Sequence, residues 1–415
     1  MVTIALILMG LLLTACQAVR DRVPFPGRPA DEVEATSLQL WTPIGSERER
    51  ILLEGVGAAV LAANPSVSAT FVLRDAAATG DALPPVDADV LIFNTDQLIP
   101  LVEADRLAPF PGDMPSLRTL PANLRAAVTV DGQIYCLPRR VQTLGLFYNR
   151  ALFDAAEIDY PTATWTWTDL AAAAQAVTAL PTVHFTAFGL ALPLDVTRWL
   201  PFYLQAGGNP DGEQLSTPEN RSALATSLIF FTGLLSDTVA VTPSYFAGGW
   251  AGEAFANGRV GMVLEGNWLD AYLAAENPDL MYGVTPLPGQ NGPGTTVAFL
   301  ECVGIAAASE QPQLAAVLVE TLLSGPVLEA GIPLSPALPA DPDSWSRWQA
   351  EYPHLAPLLS GVEEAVVWPP SGWTARTIAD FARTLDAYFS ADPTVADVTI
   401  DDIIADLLKS IASTP

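Results

Sequence analysis

Leu38-Gln39-Leu40-Trp41-Thr42-Pro43-Ile44-Gly45-Ser46-Glu47-Arg48-Glu49 carries the first fold signal of the chain. A strand, Leu38 to Thr42, meets the breaker Pro43-Ile44-Gly45, and Ser46 with Glu49 then spells the S-x-x-E of a capping box. The spacing predicts a helix running to about Ala63 and stopping at Asn64-Pro65, because the residue before a proline is pushed out of the α region. Working outward, a second strand is expected at Ala69 to Leu73 and a third at Ala88 to Phe93. Its run Val90-Leu91-Ile92-Phe93 is solidly apolar, as a strand covered on both faces requires. Strand, helix, strand and a further buried strand predict an α/β domain with a largely parallel sheet. Further on, Thr166 and Asp169 form another capping box, and Ile378 to Phe389 and Ile400 to Ile411 have helical apolar spacing. The Pro/Gly-rich segment from Thr285 to Gly294 reads as a loop leading from one domain back to the other.

The chain has 415 residues, which points to two domains, interleaved or sequential. Half the residues are hydrophobic and only 16% are charged, so the chain can bury cores and is not disordered. The net charge of −27 argues against nucleic acid, whose phosphates would repel it, and against an anionic membrane surface as the docking face.

The first residues read as a targeting signal. Ile4 to Leu13 is an apolar run too short to span a bilayer and long enough for a signal-peptide core. It ends in Leu13-Thr14-Ala15-Cys16, the pattern of a bacterial lipobox, although no Lys or Arg precedes the run. Cys16 is therefore expected to carry lipid, and residues 1–16 to be the lipoprotein signal with its lipobox cysteine. Residues 17–35, rich in Pro and charge, read as a flexible tether of roughly 25 Å, from about 5–6 Å times the square root of its length.

Four segments carry a resemblance. The first is Asp131-Gly132-Gln133-Ile134-Tyr135-Cys136-Leu137-Pro138, followed by Leu146-Phe147-Tyr148-Asn149-Arg150. The others are Thr166-Trp167-Thr168-Asp169-Leu170, then Ala254 to Met262 running into Gly266-Asn267-Trp268, then Tyr282-Gly283-Val284 with Pro286-Leu287-Pro288-Gly289. In this order and spacing the set resembles the extracellular solute-binding proteins of ABC sugar importers (family 1), the group that includes maltose-binding protein. The match covers most of residues 38 to 410 and is loosest after about Gly331. The resemblance implies an α/β, two-lobe periplasmic-binding-protein fold of type II, with discontinuous lobes joined by hinge crossings near Arg139 to Gln142, Val297 to Glu301 and Gly361. Lobe 1 would comprise 36–139 plus 299–360, and lobe 2 142–296 plus 361–415. It implies a monomer without cofactor or metal that takes a carbohydrate between its lobes and delivers it to the permease subunits. The protein would be extracytoplasmic, anchored to the membrane through lipid.

Sugars present hydroxyls at an edge and weakly apolar C–H faces, so their sites combine flat aromatics with polar groups. Ten tryptophans supply the first requirement. Trp41 ends the first strand, where ligands sit in open α/β sheets. Trp268 matches the family's stacking tryptophan by motif, with Asn267 beside it; Trp373 and Trp199 are further candidates. Trp165 and Trp167, beside a helix start, read as core. Polar candidates are Asn94, Arg139, Gln142 and Glu301, and Phe299 could add an apolar face. Arg140 reads as an interlobe salt bridge. Cys136 and Cys302 flank the two implied crossings, so they would face each other as a disulfide bracing one lobe, or remain two buried free thiols.

An enzyme finds little support. His184 and His354 lack zinc-ligand spacing, and neither a G-x-S-x-G elbow nor a P-loop is present. The alternatives are a binder of a non-sugar solute (polyamine, metal or amino acid) and a secreted glycoside hydrolase, for which the many carboxylates leave room.

Overall fold

The computed structural model describes residues 36–65, 69–75, 88–112, 114–181, 187–211, 214–236, 239–246, 249–292, 294–370, 373–390 and 399–412. Cys16, the signal and the tether lie outside the described residues. The rest forms two compact units, unit 1 from 36–142 and Phe299–Pro353, unit 2 from Thr143–Ala298 and 354–412. The chain therefore passes between units three times, the third time at Pro353 and His354, ahead of Gly361, which belongs to unit 2.

Unit 1 begins with β1 (Thr36–Thr42), α1 (Glu47–Ala63), β2 (Ala69–Asp75) and β3 (Val90–Asn94). β1 pairs in parallel with β2 from Thr36↔Ala69 to Thr42↔Asp75, and with β3 at Leu40↔Val90. Val90 to Phe93 are buried, as a strand covered on both faces must be. The third strand starts at Val90 and not at Ala88 because Asp89 forms a polar bend. Its carboxylate accepts from the Gln39 N–H at 2.8 Å and from the Ser309 hydroxyl at 2.6 Å. α1 starts where expected, with Ser46 Oγ accepting from the Glu49 N–H at 3.2 Å. The reciprocal half of the box is replaced: Glu49 accepts from the Gly45 N–H at 3.2 Å and pairs with Arg140 at 2.8 Å. A buried guanidinium needs that carboxylate more than a helix terminus open to water does.

β4 (Leu137–Asn149) carries the chain into unit 2, where α2 (Trp167–Thr178), β5 (Phe188–Ala191), α3 (Val196–Gln205), α4 (Pro218–Ser236), β6 (Ala240–Val241), β7 (Val260–Gly266), α5 (Trp268–Glu276) and β8 (Tyr282–Thr285) follow. β7 runs antiparallel to β4 and parallel to β5, β5 runs parallel to β6, and β8 covers the other edge of β4. The box before α2 has both halves, the Thr166 N–H reaching Asp169 Oδ2 at 2.8 Å and Thr166 Oγ1 accepting at 3.4 Å. The Pro/Gly segment after β8 stays inside unit 2. Gly289 accepts from the Trp167 N–H at 2.9 Å, which staples the segment to the start of α2.

The return to unit 1 is made by β9 (Val297–Ala306), antiparallel to β3 with Glu301↔Asn94 and Ile305↔Val90 in register. The apolar helix α6 (Pro312–Leu322) then packs on α1. The last two helices, α7 (Ala375–Ser390) and α8 (Ile400–Ala412), lie close to their expected bounds, and α8 packs on α7 and α4.

Candidate functional site

In unit 1 the carboxyl ends of β1 and β3 and the opening of β9 share one sheet edge. The register sets Glu301 opposite Asn94. Asn94 is exposed, while Phe299 and Glu301 are half-buried and alternate along β9 with the buried Leu300 and Cys302. Gln142 is half-buried where β4 leaves the unit. Trp41 stands at this edge too and is buried, at 4% exposure.

Behind the edge lies a charge cluster. Arg139 pairs with Glu301 at 3.0 Å and Glu49 at 3.5 Å; Arg140 pairs with Glu49 at 2.8 Å and Glu301 at 3.5 Å. Arg139, a polar site candidate, is 3% exposed, and its Nη1 is held by both carboxylates. Arg140, expected to bridge lobes, closes a network within unit 1. Burial pushes Glu301 up, yet the opposing charges of Arg140 and Arg139 hold its carboxyl below the ordinary range. With its side chain 24% exposed, Glu301 is the most exposed of the four, an ionised acceptor suited to hydroxyl groups. In the same unit Cys136 and Cys302 are bonded, their Cα atoms 5.6 Å apart.

In unit 2 the end of β7 and the start of α5 carry the remaining candidates. Trp268 is half-buried. Its indole N–H donates to Glu265 Oε2 at 2.8 Å, and the Arg198 guanidinium lies 5.5 Å from its ring centroid. Asn267 is fully buried and structural: its side-chain oxygen accepts from the Thr143 N–H at 3.0 Å. Trp199 is fully buried against Tyr203 and Phe381, since the helical phase of α3 turns it into the core. Trp373 is buried as well, donating to the Pro210 carbonyl at 2.7 Å and lying edge-on to Trp368. Trp167 stacks on Phe230 at 4.7 Å, as a core residue would.

Sequence reasoning missed Glu49, Glu265 and Arg198. Glu49 was hidden by its capping pattern. Glu265 had a readable signal: an acid closing the apolar run Val260-Gly261-Met262-Val263-Leu264 has to find a partner if that strand is buried.

The family described as bacterial extracellular solute-binding protein matches residues 72–357. A binding protein of Brucella abortus (strain 2308) is 27% identical over 290 residues, 66% of this chain and 69% of that protein. Solved structures share the fold. A cyclo/maltodextrin-binding protein complexed with maltotetraose aligns with a TM-score of 0.73 at 17% identity, over 92% of this chain and 98% of the other. The ABC substrate-binding protein Lmo0181 from Listeria monocytogenes, in complex with cycloalternan, gives 0.72 at 19%, over 91% and 98%. The sugar-binding protein MalE from Xanthomonas citri gives 0.72 at 19%, over 91% and 97%. The two-lobe α/β fold expected from the sequence is thus the fold found.

Proposed function

This chain belongs to the bacterial extracellular solute-binding proteins, and from that premise we propose that it is the lipid-anchored binding component of an ABC importer, reversibly binding a carbohydrate and handing it to the permease. The family is extracellular, so the protein works outside the cytoplasm. The observation that carries the carbohydrate reading is Trp268, a half-buried indole held in place by a buried carboxylate. A flat aromatic of this kind suits the C–H face of a sugar ring. In unit 1 the ionised Glu301 beside Asn94 offers acceptors and donors for hydroxyls. The maltotetraose and cycloalternan in the similar structures support the same class of solute. A metal, polyamine or amino acid would call for more charge at the exposed positions.

A thermal-shift screen over mono- and oligosaccharides tests the class, because a ligand at about 100 times its Kd adds roughly 2.7 kcal/mol to stability. No shift with any sugar, together with a shift from an amino acid or polyamine, would overturn the carbohydrate reading. Products released from a glycan panel would overturn the binder reading.

For a sugar that binds, Trp268→Ala is expected to weaken affinity by about 1–3 kcal/mol, by analogy with the loss of an aromatic that stacks on a nucleic-acid base. Titration calorimetry checks this, and unchanged affinity in a folded variant would remove Trp268 from the site.

The anchor is tested separately. Cells fed a labelled fatty acid should label the parent and not Cys16→Ser; a parent that takes up no label defeats the lipoprotein reading.

A further inference from the structure

We propose that Glu265 is the positioning residue for Trp268, one carboxylate oxygen that holds both the indole N–H and the Arg198 guanidinium and so fixes the plane of the ring. The proposal rests on the reading of Trp268 as the stacking residue and names what orients it.

Glu265 Oε2 accepts from Trp268 Nε1 at 2.8 Å and from Arg198 Nη2 at 2.5 Å. Arg198 is in turn held by the Leu264 carbonyl at 3.3 Å through Nε, and by Asp195 Oδ2 at 3.3 Å and Thr197 Oγ1 at 2.8 Å through Nη1. Its guanidinium plane is thereby set, and it lies over the Trp268 ring at a cation–π distance. Gly266 completes the seat: a Cβ built there would lie 2.2 Å from Trp268 Cζ3, so the ring rests where only glycine leaves room. The indole is therefore tied at its N–H, under a cation and against a bare backbone. A ring locked in this way loses little rotamer freedom when a ligand arrives, which converts contact into affinity.

Glu265 is 1% exposed at the end of an otherwise apolar strand. Burial pushes its carboxyl up, opposed by Arg198 and by the indole N–H. An acid in such a place is costly without these partners, and a purely packing role would be filled better by leucine.

Indole 15N–1H spectra of the ligand-free protein test the orientation directly, with the Trp268 signal assigned through Trp268→Phe. Glu265→Gln is expected to shift the Trp268 indole signal alone and to speed its solvent exchange about tenfold or more. A folded variant whose Trp268 signal stays put, or in which all tryptophan signals move together, overturns the proposal. Should Glu265→Gln fail to fold, Arg198→Lys reads the same device. An ammonium cannot lie flat over the ring while reaching the same oxygen, so the Trp268 signal should shift while its exchange stays slow; an unmoved signal again overturns it. Maltotetraose titration separates the two readings. If Trp268→Ala weakens binding, Glu265→Gln should weaken it about tenfold in the parent and not further in Trp268→Ala; an undiminished second loss overturns positioning. If Trp268→Ala leaves maltotetraose binding intact, the stacking reading fails, while the spectra still decide what orients the ring.

Discussion

Replacing both Cys136 and Cys302 by alanine is expected to cost about 4–5 kcal/mol of unfolding free energy. The two cysteines are 166 residues apart and bonded within unit 1, both fully buried. Cross-linking removes closure entropy from the unfolded chain, and the loss grows with the logarithm of the loop, so a loop of this length sits near the top of the range. Cys302 lies on β9 opposite Phe93 of β3, and Cys136 immediately precedes β4. The bond thus ties the strand that returns to unit 1 to the start of the strand that leaves it. An extracytoplasmic compartment lets such a bond form and persist. Denaturant unfolding of the parent, with and without reductant, and of the double variant measures the effect. Equal midpoints, or two alkylated thiols found at these positions in the unreduced protein, would refute it.

Arg139→Met should cost about 3–5 kcal/mol, the penalty for removing one partner from a buried ion pair. Arg139 neutralises Glu301 and Glu49 together, and without it the two acids share only Arg140. The same network predicts the sign of the acid response. The folded-state pKa of Glu301 is depressed: burial raises it, and Arg140 and Arg139 more than offset that. A depressed carboxyl contributes stability that is fully present above its unfolded pKa and lost as pH falls through its folded pKa. With one cation gone the folded pKa rises, so the acid-unfolding midpoint of Arg139→Met should move to higher pH. Circular dichroism over a pH series checks this. A midpoint that stays or falls would mean that Glu301 does not depend on Arg139. Because Arg139 is buried, sugar affinity of the folded variant should change far less than its stability.

Some of these residues are legible in the sequence and others are not. Trp268 is a candidate through the local pattern Gly266-Asn267-Trp268, and the structure leaves the indole partly open. Trp41, Trp199 and Trp373 are site candidates on residue type and position alone, and each is buried. Residue type cannot distinguish a tryptophan that stacks on a ligand from one that stacks on a phenylalanine. The difference is the face its element turns outward, which depends on what packs against that element.

By itself the sequence determined the elements whose signal is local. β1, α1, β2 and β3 follow from apolar runs, a breaker and a cap within a few residues of one another, and α7 and α8 from helical spacing. Tertiary structure alone decided which polar groups are spent internally. Arg139 meets Glu301 across 162 residues and Asn267 meets Thr143 across 124. Such partners are set by sheet register, not by neighbouring sequence. Shifting a strand by one residue turns every side chain to the other face. The pairing of β9 with β3 therefore gives Glu301 an edge position and buries Cys302, a choice that neither residue's surroundings in the chain contain.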